Sequence, residues 1–282
     1  METTETQDLY SERTITITPN IKWWVFDFRE LKEYRDLFYF LVLRDIKVMY
    51  AQTILGLLWA VIQPATQIII FSVVFGKIAK ISTEGIPYVL FSSIAIIPWT
   101  YISQSTIQSS QSLISEKQML GKVYFPRIIY PITPILSRMV DFSISLVILI
   151  GIAIYFDVVP TWRLLFLPLF IIEMMMIPAG LGMWLSSLAI RYRDVKYAMP
   201  FATRMLMYTA PIVYSASSIP EKYRILYSLN PLVSVIEGYR AILLGSSIPW
   251  NYVLPGSIIT VLIFLSGAMY FRYMERIIVD VI

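Results

Sequence analysis

Long stretches without a single charged residue are the feature that most restricts how this chain can fold. Residues 53–76, 86–108 and 251–271 contain no Asp, Glu, Lys or Arg. Crossing the roughly 30 Å hydrocarbon core of a bilayer takes about 20 mostly apolar residues in a helix. Backbone polar groups in lipid must be satisfied within the structure, which leaves helices or closed barrels as the spanning forms. These stretches therefore predict membrane-spanning helices.

Three further stretches are apolar apart from isolated charges. They are residues 132–156 with Arg138 and Asp141 near one end, 164–190 with Glu173, and 197–216, which Arg204 interrupts. The whole chain is 57% hydrophobic and 15% charged, whereas soluble domains are nearer half apolar and a quarter charged. The prediction is an all-α integral membrane protein with six transmembrane helices, at about 53–76, 86–108, 132–156, 164–190, 197–216 and 251–271.

The segment between the fifth and sixth spans, residues 217–248, predicts two short helices. Pro220 and Pro231 stand where each helix would begin, since the missing N–H costs little there. Gly245 stands where the second helix would end. Neither helix is long enough to span, which is typical of re-entrant or interfacial pieces. An amphipathic hairpin on the outer surface is the alternative.

The segment before the first span alternates charged clusters with apolar residues. Residues 29–49 place Leu and Phe side chains between Arg, Lys, Glu and Asp. That pattern is typical of an amphipathic helix in the membrane interface, and it is also compatible with a helix packed on a partner protein. The chain therefore divides into a cytoplasmic N-terminal segment, residues 1–50, and a six-span domain, residues 51–276.

The distribution of basic residues predicts the orientation in the membrane. Lys and Arg concentrate in the cytoplasmic loops of membrane proteins. With a cytoplasmic amino terminus, most of the 23 Lys and Arg residues fall in inner segments. Both termini are therefore expected on the cytoplasmic side.

The sequence carries no energy-converting motif of its own. A phosphate-binding loop needs a glycine five residues before a Gly-Lys-Ser/Thr triplet, and the two Gly-Lys pairs, at Gly76 and Gly121, are followed by Ile78 and Val123. The absence of histidine and cysteine removes the usual proton-transfer and thiolate groups. Energy is therefore expected from another polypeptide. The chain is expected to be a transport subunit rather than an enzyme, binding no cofactor, metal or nucleic acid itself.

A multispan enzyme acting on lipid-linked sugars is the alternative from another functional class. It would need clustered carboxylates or a histidine at the membrane surface. Glu84, Asp157 and Glu221 are instead scattered over the outer segments. The one carboxylate well inside a span, Glu173, is interpreted as a structural partner rather than a proton relay.

Polar side chains share one face of the first span. Trp59, Gln63 and Gln67 recur every four residues and therefore lie on the same side of a helix. The second span adds two aromatic residues and two amides, Trp99, Tyr101, Gln104 and Gln108. Amides in hydrocarbon are costly unless paired or wet. They predict a water-filled polar path, with hydrogen bonding between helices as the alternative.

Two charged residues of the third span predict an ion pair inside the membrane. Arg138 and Asp141 are three residues apart and therefore share one face of a helix. We interpret them as a pair that stabilises the span rather than as substrate ligands.

Two inner loops, residues 113–131 and 191–197, combine basic and aromatic residues. Tyr, Phe and Arg make good anchors for a cytoplasmic partner. Ordinary basic loops with interfacial aromatic residues are the alternative.

Four passages in order carry a resemblance to a known family. They are LGLLWAVIQPATQIIIFSVVFGKI at 55–78, KVYFPRIIYPIT at 122–133, AIRYRDVKYAMPF at 189–201 and LNPLVSVIEGYRAILLG at 229–245. Together they resemble the permease subunits of type-2 ABC exporters that move polysaccharides across the bacterial inner membrane, above all the O-antigen permeases. The resemblance covers about residues 25–275.

The resemblance implies a membrane channel subunit for a lipid-linked polysaccharide, surrounded by membrane lipids. It implies a homodimer beside two copies of an ATP-binding cassette subunit, which would hold ATP and Mg. The first and fifth spans would form the channel. Related exporters of teichoic acid, capsule, lipid or drug are the alternatives.

The resemblance also implies roles for two groups of residues. The loop at 113–127 would couple to the ATPase through Glu116, Lys117, Lys122, Tyr124 and Arg127. The two short helices of 217–248 would gate the outer mouth through Tyr223, Tyr227, Glu237, Tyr239 and Arg240.

Overall fold

The computed structural model describes residues 32–51, 53–117 and 125–281, with side chains described as far as Glu275. This part of the chain is helical, with short 3₁₀ and π segments and no β-strand. Its α-helices are α1 (Arg35–Tyr50), α2 (Trp59–Phe71), α3 (Tyr88–Ser115), α4 (Ile129–Ser137), α5 (Met139–Tyr155), α6 (Leu167–Arg191), α7 (Val195–Thr209), α8 (Glu221–Ser228), α9 (Pro231–Leu243) and α10 (Trp250–Val281).

Four helical segments of the described chain are long and apolar enough to cross a membrane. They are Gly56–Ile78, Ile129–Tyr155, Trp162–Arg191 and Trp250–Glu275. They correspond to the predicted first, third, fourth and sixth spans, so an all-helical membrane architecture is confirmed. Helices also cover the predicted second and fifth spans, as α3 and α7. Neither of these two helices is both long enough and apolar enough to be assigned as a membrane-crossing helix. Helix α3 is long but rich in Ser and Gln, and α7 is short.

Helix α3 is the centre of the bundle. Its residues from Leu90 to Trp99 are all buried, and its most extensive packing is against α6. A side chain at Gly182 of α6 would overlap Ser109 of α3, so the two backbones approach closely. Small residues at such contacts are typical of packing between membrane helices. Because protein surrounds α3, its Ser-rich sequence does not have to match lipid.

The fifth predicted span is shorter than expected. Helix α7 ends at Thr209, and Ala210 is extended with ψ 151°. Pro211 follows Ala210, and a residue before proline is disfavoured in the helical region. The predicted end at residue 216 is therefore too far along the chain.

Helices α8 and α9 form a hairpin that packs into the bundle. Pro220 precedes α8, and the Asn230 side chain caps α9 by accepting from the Leu232 N–H at 3.1 Å. Gly245, just after α9, has φ +69°, a conformation suited to glycine. Most of α9 is buried, so it is an internal element rather than a hairpin on the surface.

The junction of α8 and α9 packs against α10. The carbonyls of Ser228 and Asn230 lie 3.4 Å from where a side chain at Gly256, in the second turn of α10, would begin. At the other end of α9, the Gly245 carbonyl accepts from Arg163, which precedes α6. The two ends of α9 therefore contact different elements, α10 at the first end and the segment before α6 at the second.

Candidate functional site

A cleft of about 270 Å³, lined by both polar and apolar side chains, opens between α1, α3 and α4. Arg44 of α1 donates to both carboxylate oxygens of Glu116, at 3.1 and 2.7 Å, and to Asp45 at 2.8 Å. Burial acts to lower the pKa of Arg44, but the hydrogen bonds to Glu116 and Asp45 outweigh it and raise that pKa above its ordinary value. The amphipathic helix is thereby tied to the end of α3.

The predicted ion pair of the third span is present and belongs to a larger network. Arg138 Nη1 lies 2.6 Å from Asp141 Oδ2, and Arg138 Nε donates to Gln108 Oε1 at 2.9 Å. The Tyr50 hydroxyl of α1 donates to the other oxygen of Asp141. The amide oxygen of Gln108 thus has a partner inside the protein, and α1, α3 and α5 are joined.

A second, much smaller cavity of about 30 Å³ continues inward from this network. Its polar lining includes Gln63, Thr100, Gln104, Arg138 and Asp141. That space is enough for at least one water molecule, which needs roughly 10–15 Å³ of cavity volume on this measure. The polar residues of α2 and α3 therefore border the Arg138–Asp141 pair.

The predicted path residues separate into two groups. Trp59 and Gln63 are exposed, and Gln67 is half-buried with its amide 4.0 Å from Met207 Sδ of α7. Trp99 and Tyr101 are instead 5% and 4% exposed and belong to the core. The Tyr101 hydroxyl donates to the Ile135 carbonyl at 2.9 Å, and its ring packs edge-on against Phe142 of α5. Neither of those two rings faces an open surface.

One face of α7 carries a continuous exposed stripe, which we call the α7 stripe: Tyr197, Phe201, Arg204 and Tyr208. The spacing of four, three and four residues places all of them on one side of a helix. The opposite face, through Met199 and Thr203, is buried. Among the described residues, Arg204 makes no hydrogen bond or ion pair. The predicted fifth span would place this exposed charge at membrane depth, where it calls for water or protein around it.

The residues predicted to couple to an ATPase lie in different settings. Glu116 is paired with Arg44, and Arg127 Nη1 donates to the Glu275 carbonyl of α10 at 3.3 Å. Lys117 is exposed beside a groove of about 380 Å³. The other two predicted residues, Lys122 and Tyr124, lie outside the described residues.

The groove beside Lys117, which we call the inner groove after its side in the predicted topology, lies between the C-terminal ends of α3 and α6 and the N-terminal end of α7. Its floor is apolar, and it is lined by Leu113, Ile114, Lys117, Ala189, Ile190, Arg193, Lys196 and Tyr197. Three of these residues are exposed cations without an ion pair in the described chain. The groove therefore brings together the two inner loops that the sequence marks as basic and aromatic.

The residues predicted for an outer gate lie on α8 and α9. Tyr223 is exposed, and the Tyr227 hydroxyl donates to the Tyr214 hydroxyl at 3.4 Å. Tyr239 is fully buried with its hydroxyl 3.6 Å from Met174 Sδ. The remaining two, Glu237 and Arg240, form a buried ion pair with N–O distance 2.8 Å.

The carboxylate of Glu173 joins three helices. Its Oε1 accepts from Ser234 of α9 at 2.6 Å and from Ser257 of α10 at 2.9 Å. These contacts give the buried group the partners that a structural role requires.

Residues 36–244 match the family model described as ABC-2 type transporter. The chain belongs to the ABC-2 type transporter family. The resemblance seen in its four sequence passages is thereby confirmed.

Curated relatives of this ABC-2 chain carry names from polysaccharide export. An O-antigen export system permease protein RfbA from Myxococcus xanthus is 24% identical over 223 residues, covering 78% of this chain and 85% of the relative. A protein of the same name from Klebsiella pneumoniae is 24% identical over 219 residues, covering 77% and 84%. The polysialic acid transport protein KpsM of Escherichia coli is 26% identical over 248 residues, covering 82% and 90%.

Several site residues of the ABC-2 chain escaped prediction from its sequence. The α7 stripe was open to detection, because its aromatic residues and Arg204 recur at helical spacing. Arg44 and Tyr50 were not, because their partners Glu116 and Asp141 are 72 and 91 residues away.

Proposed function

We propose that this ABC-2 chain is the membrane channel subunit of an ATP-driven exporter that moves a lipid-linked, O-antigen-like polysaccharide across the bacterial inner membrane. Family membership and the names of the relatives support export and its substrate class. The observation that carries the proposal is the α7 stripe, an exposed row of aromatic rings with one arginine.

The chemistry of the α7 stripe suits sugars better than lipid. Aromatic rings stack on the apolar faces of sugar rings, and the five N–H donors of a guanidinium bind hydroxyl oxygens. In contact with acyl chains, the exposed Arg204 would cost about 3 kcal/mol or more. A wet, sugar-passing channel removes that cost. On α2, the exposed Trp59 and Gln63 likewise combine an aromatic ring with a hydrogen-bonding group, as the α7 stripe does.

A second copy of the chain would complete the channel. Helices α2 and α7 are neighbours, since Gln67 reaches Met207, and both have one exposed face. A twofold homodimer repeats the same surface on both sides of its axis. Pairing of these faces would enclose the α7 stripe and the exposed side of α2 between two protomers.

The proposal includes six crossings with both termini cytoplasmic, and α8–α9 as a re-entrant hairpin at the outer side. Burial of α3 within the bundle supports its crossing in spite of its Ser and Gln residues. The return of the hairpin to the level of Arg163 supports re-entry from one side.

The energy would come from two copies of an ATP-binding cassette subunit carrying ATP and Mg. The inner groove offers that partner exposed cations and an apolar floor at the cytoplasmic ends of three helices. Coupling through the neighbouring loop at 113–127 follows from the family resemblance.

A second substrate class, acidic capsular polysaccharide, has one specific point in its favour. The relative named for polysialic acid transport aligns over more residues of this chain than the O-antigen relatives do, 248 against 223 and 219.

Substitution of stripe residues tests the proposed channel. Phe201→Ala with Tyr208→Ala should lower export of polysaccharide at least about tenfold, given that stacking of a planar base on an aromatic ring contributes about 1–3 kcal/mol and two rings are removed. The measurement is polymer at the cell surface, at equal membrane expression, with ATP hydrolysis by the partner assayed in parallel. Hydrolysis should persist, because the energy source is on the other subunit.

The matched control is Tyr155→Ala, which removes an exposed ring on α5 away from the stripe. It should leave export unchanged. Normal export in the Phe201/Tyr208 double variant would mean that the stripe faces lipid or a partner and that the polymer passes elsewhere.

A further inference from the structure

Arg240 of α9 is a buried cation with part of its hydrogen-bonding capacity unused. Its side chain is 6% exposed. Nη1 donates to Glu237 at 2.8 Å, and the guanidinium lies 3.7 Å from the centre of the Phe91 ring. Among the described residues, neither Nε nor Nη2 has a hydrogen-bond partner. Buried donors on a charged group are costly to leave unpaired, so this arrangement requires an explanation.

The two unpaired nitrogens form one functional edge. Nε and Nη2 lie side by side in the planar guanidinium, the geometry with which arginine grips two oxygens of a carboxylate or phosphate. Glu237 and the Phe91 ring occupy the other edge and one face. The free edge is therefore held in a fixed orientation for an oxyanion.

The carboxylate of the neighbouring outer loop does not fill this edge. Glu84 is near enough to interact electrostatically with Arg240, but its Oε1 accepts from Ser215 at 2.9 Å and from Ser217 at 2.5 Å. Those hydrogen bonds, first of all the one from Ser217, hold the pKa of Glu84 below its usual range. Glu84 is thus engaged with the loop before α8 rather than with the arginine.

We propose that the Nε–Nη2 edge of Arg240 is an oxyanion-binding site, which takes a carboxylate or phosphate of the exported substrate when the α8–α9 hairpin separates from α3. The inference rests on the proposed function, because it places the site at the outer end of the export path. In the closed arrangement the edge is covered. Separation of α9 from Phe91, in the first turn of α3, would uncover it while Glu237 continues to hold Nη1.

Chemical modification tests the site in the wild-type protein. The full chain, assembled with its ATPase partner in nanodiscs, is treated with phenylglyoxal, and modification of Arg240 is measured by mass spectrometry. Arg240 should react slowly at rest and faster during ATP turnover. Arg224 of α8 is the internal control, because it is exposed and its Nε and Nη1 already donate to Ile219 and Glu221.

Three soluble probes identify the oxyanion. Geranyl diphosphate represents an isoprenoid diphosphate, trigalacturonate an acidic sugar, and maltotriose a neutral sugar. Protection of Arg240 by geranyl diphosphate alone assigns the site to the lipid carrier, and protection by trigalacturonate alone assigns it to acidic sugar units. Equal protection by maltotriose, or protection by none of the three, would overturn the proposal.

A conservative variant provides the second test. Arg240→Lys keeps the charge and removes the two-nitrogen edge, so the protecting probe should bind at least about tenfold more weakly, as expected for the loss of a charge-assisted hydrogen bond. Arg224→Lys should bind it as the wild type does. If the Arg240→Lys variant does not assemble with the ATPase partner, the phenylglyoxal experiment on the wild-type complex is sufficient to test the proposed site. Probe protection in a complex that exports no polysaccharide would refute the proposed function and leave this site standing.

Discussion

The ion pair between Arg138 and Asp141 can be used to test whether charged residues in this bundle are stabilised by neutralising each other. Its side chains are 15% and 22% exposed, and both have additional partners, Gln108 and Tyr50. Removal of one member of a buried pair costs about 3–5 kcal/mol, because it leaves a charge in a medium of low dielectric. Since some exposure remains and the second partner is retained, we expect roughly 2–3 kcal/mol for Arg138→Met.

The double replacement should be milder than either single one. Arg138→Met with Asp141→Leu removes both charges. It leaves two neutral polar groups, Tyr50 and Gln108, of which Gln108 lines the cleft between α1, α3 and α4. We expect a loss below about 2 kcal/mol for the double variant and a coupling energy of roughly 2 kcal/mol or more from the cycle. Reversible unfolding of the purified chain in mixed micelles, followed by tryptophan fluorescence, supplies the four free energies.

A matched pair on α8 provides the control. Arg224 and Glu221 have the same three-residue spacing but are 40% and 86% exposed. Exposed pairs contribute about 0–1 kcal/mol because water screens them, so their cycle should give little coupling. Additive losses at Arg138 and Asp141, within about 0.5 kcal/mol, would refute the idea that the pair is held by mutual neutralisation. Loss of export by a stable double variant would assign the pair a direct role in transport.

The remaining predictions concern the orientation and the outer loop. Single cysteines at Thr83 and Ser218 should react with a membrane-impermeant thiol reagent in intact cells while one at Ser115 is protected, in a chain without native cysteine; labelling of Ser115 from outside would overturn the topology. The lowered pKa of Glu84 means that its contacts with Ser215 and Ser217 contribute stability above its ordinary pKa and lose it as pH falls through the lower folded value. The protection of residues 79–87 against hydrogen exchange, taken relative to the intrinsic amide rate at each pH, should therefore decrease as the pH falls below about 4.5. A Glu84→Gln variant that kept this dependence would contradict the assignment.

Local chemistry predicted the boundaries of the short elements and the spacing of the ion pair. Pro220, Pro231 and Gly245 act through the conformations their own backbones favour, so their positions in the sequence suffice. Arg138 and Asp141 pair because a single helix places them on one face. These features need no knowledge of the tertiary structure.

Features that depend on the packing of distant helices were not accessible in this way. Trp99 and Tyr101 resemble path residues in sequence, but a helix enclosed by neighbours buries side chains on every face, and periodicity gives no sign of that. Arg44–Glu116 and Tyr50–Asp141 join segments far apart in the chain. From the sequence, Arg204 is interpreted only as a charge that interrupts a span. In the structure Arg204 lies on the exposed face of α7, together with the aromatic residues of the α7 stripe.

The charged residues within the bundle differ in the hydrogen-bond partners that the described chain gives them. Arg138 donates to Asp141 and Gln108, and one oxygen of Glu173 accepts from two serines. Stability alone accounts for such groups. Arg204 is exposed on the α7 stripe, and Arg240 is buried with a free edge at the outer hairpin. A structural role leaves two buried donors of Arg240 unexplained, because Glu237 pairs with only one of its nitrogens. Arg204 has no side-chain partner among the described residues. A substrate that carries hydroxyl and anionic oxygens past both positions would complete their partners during transport.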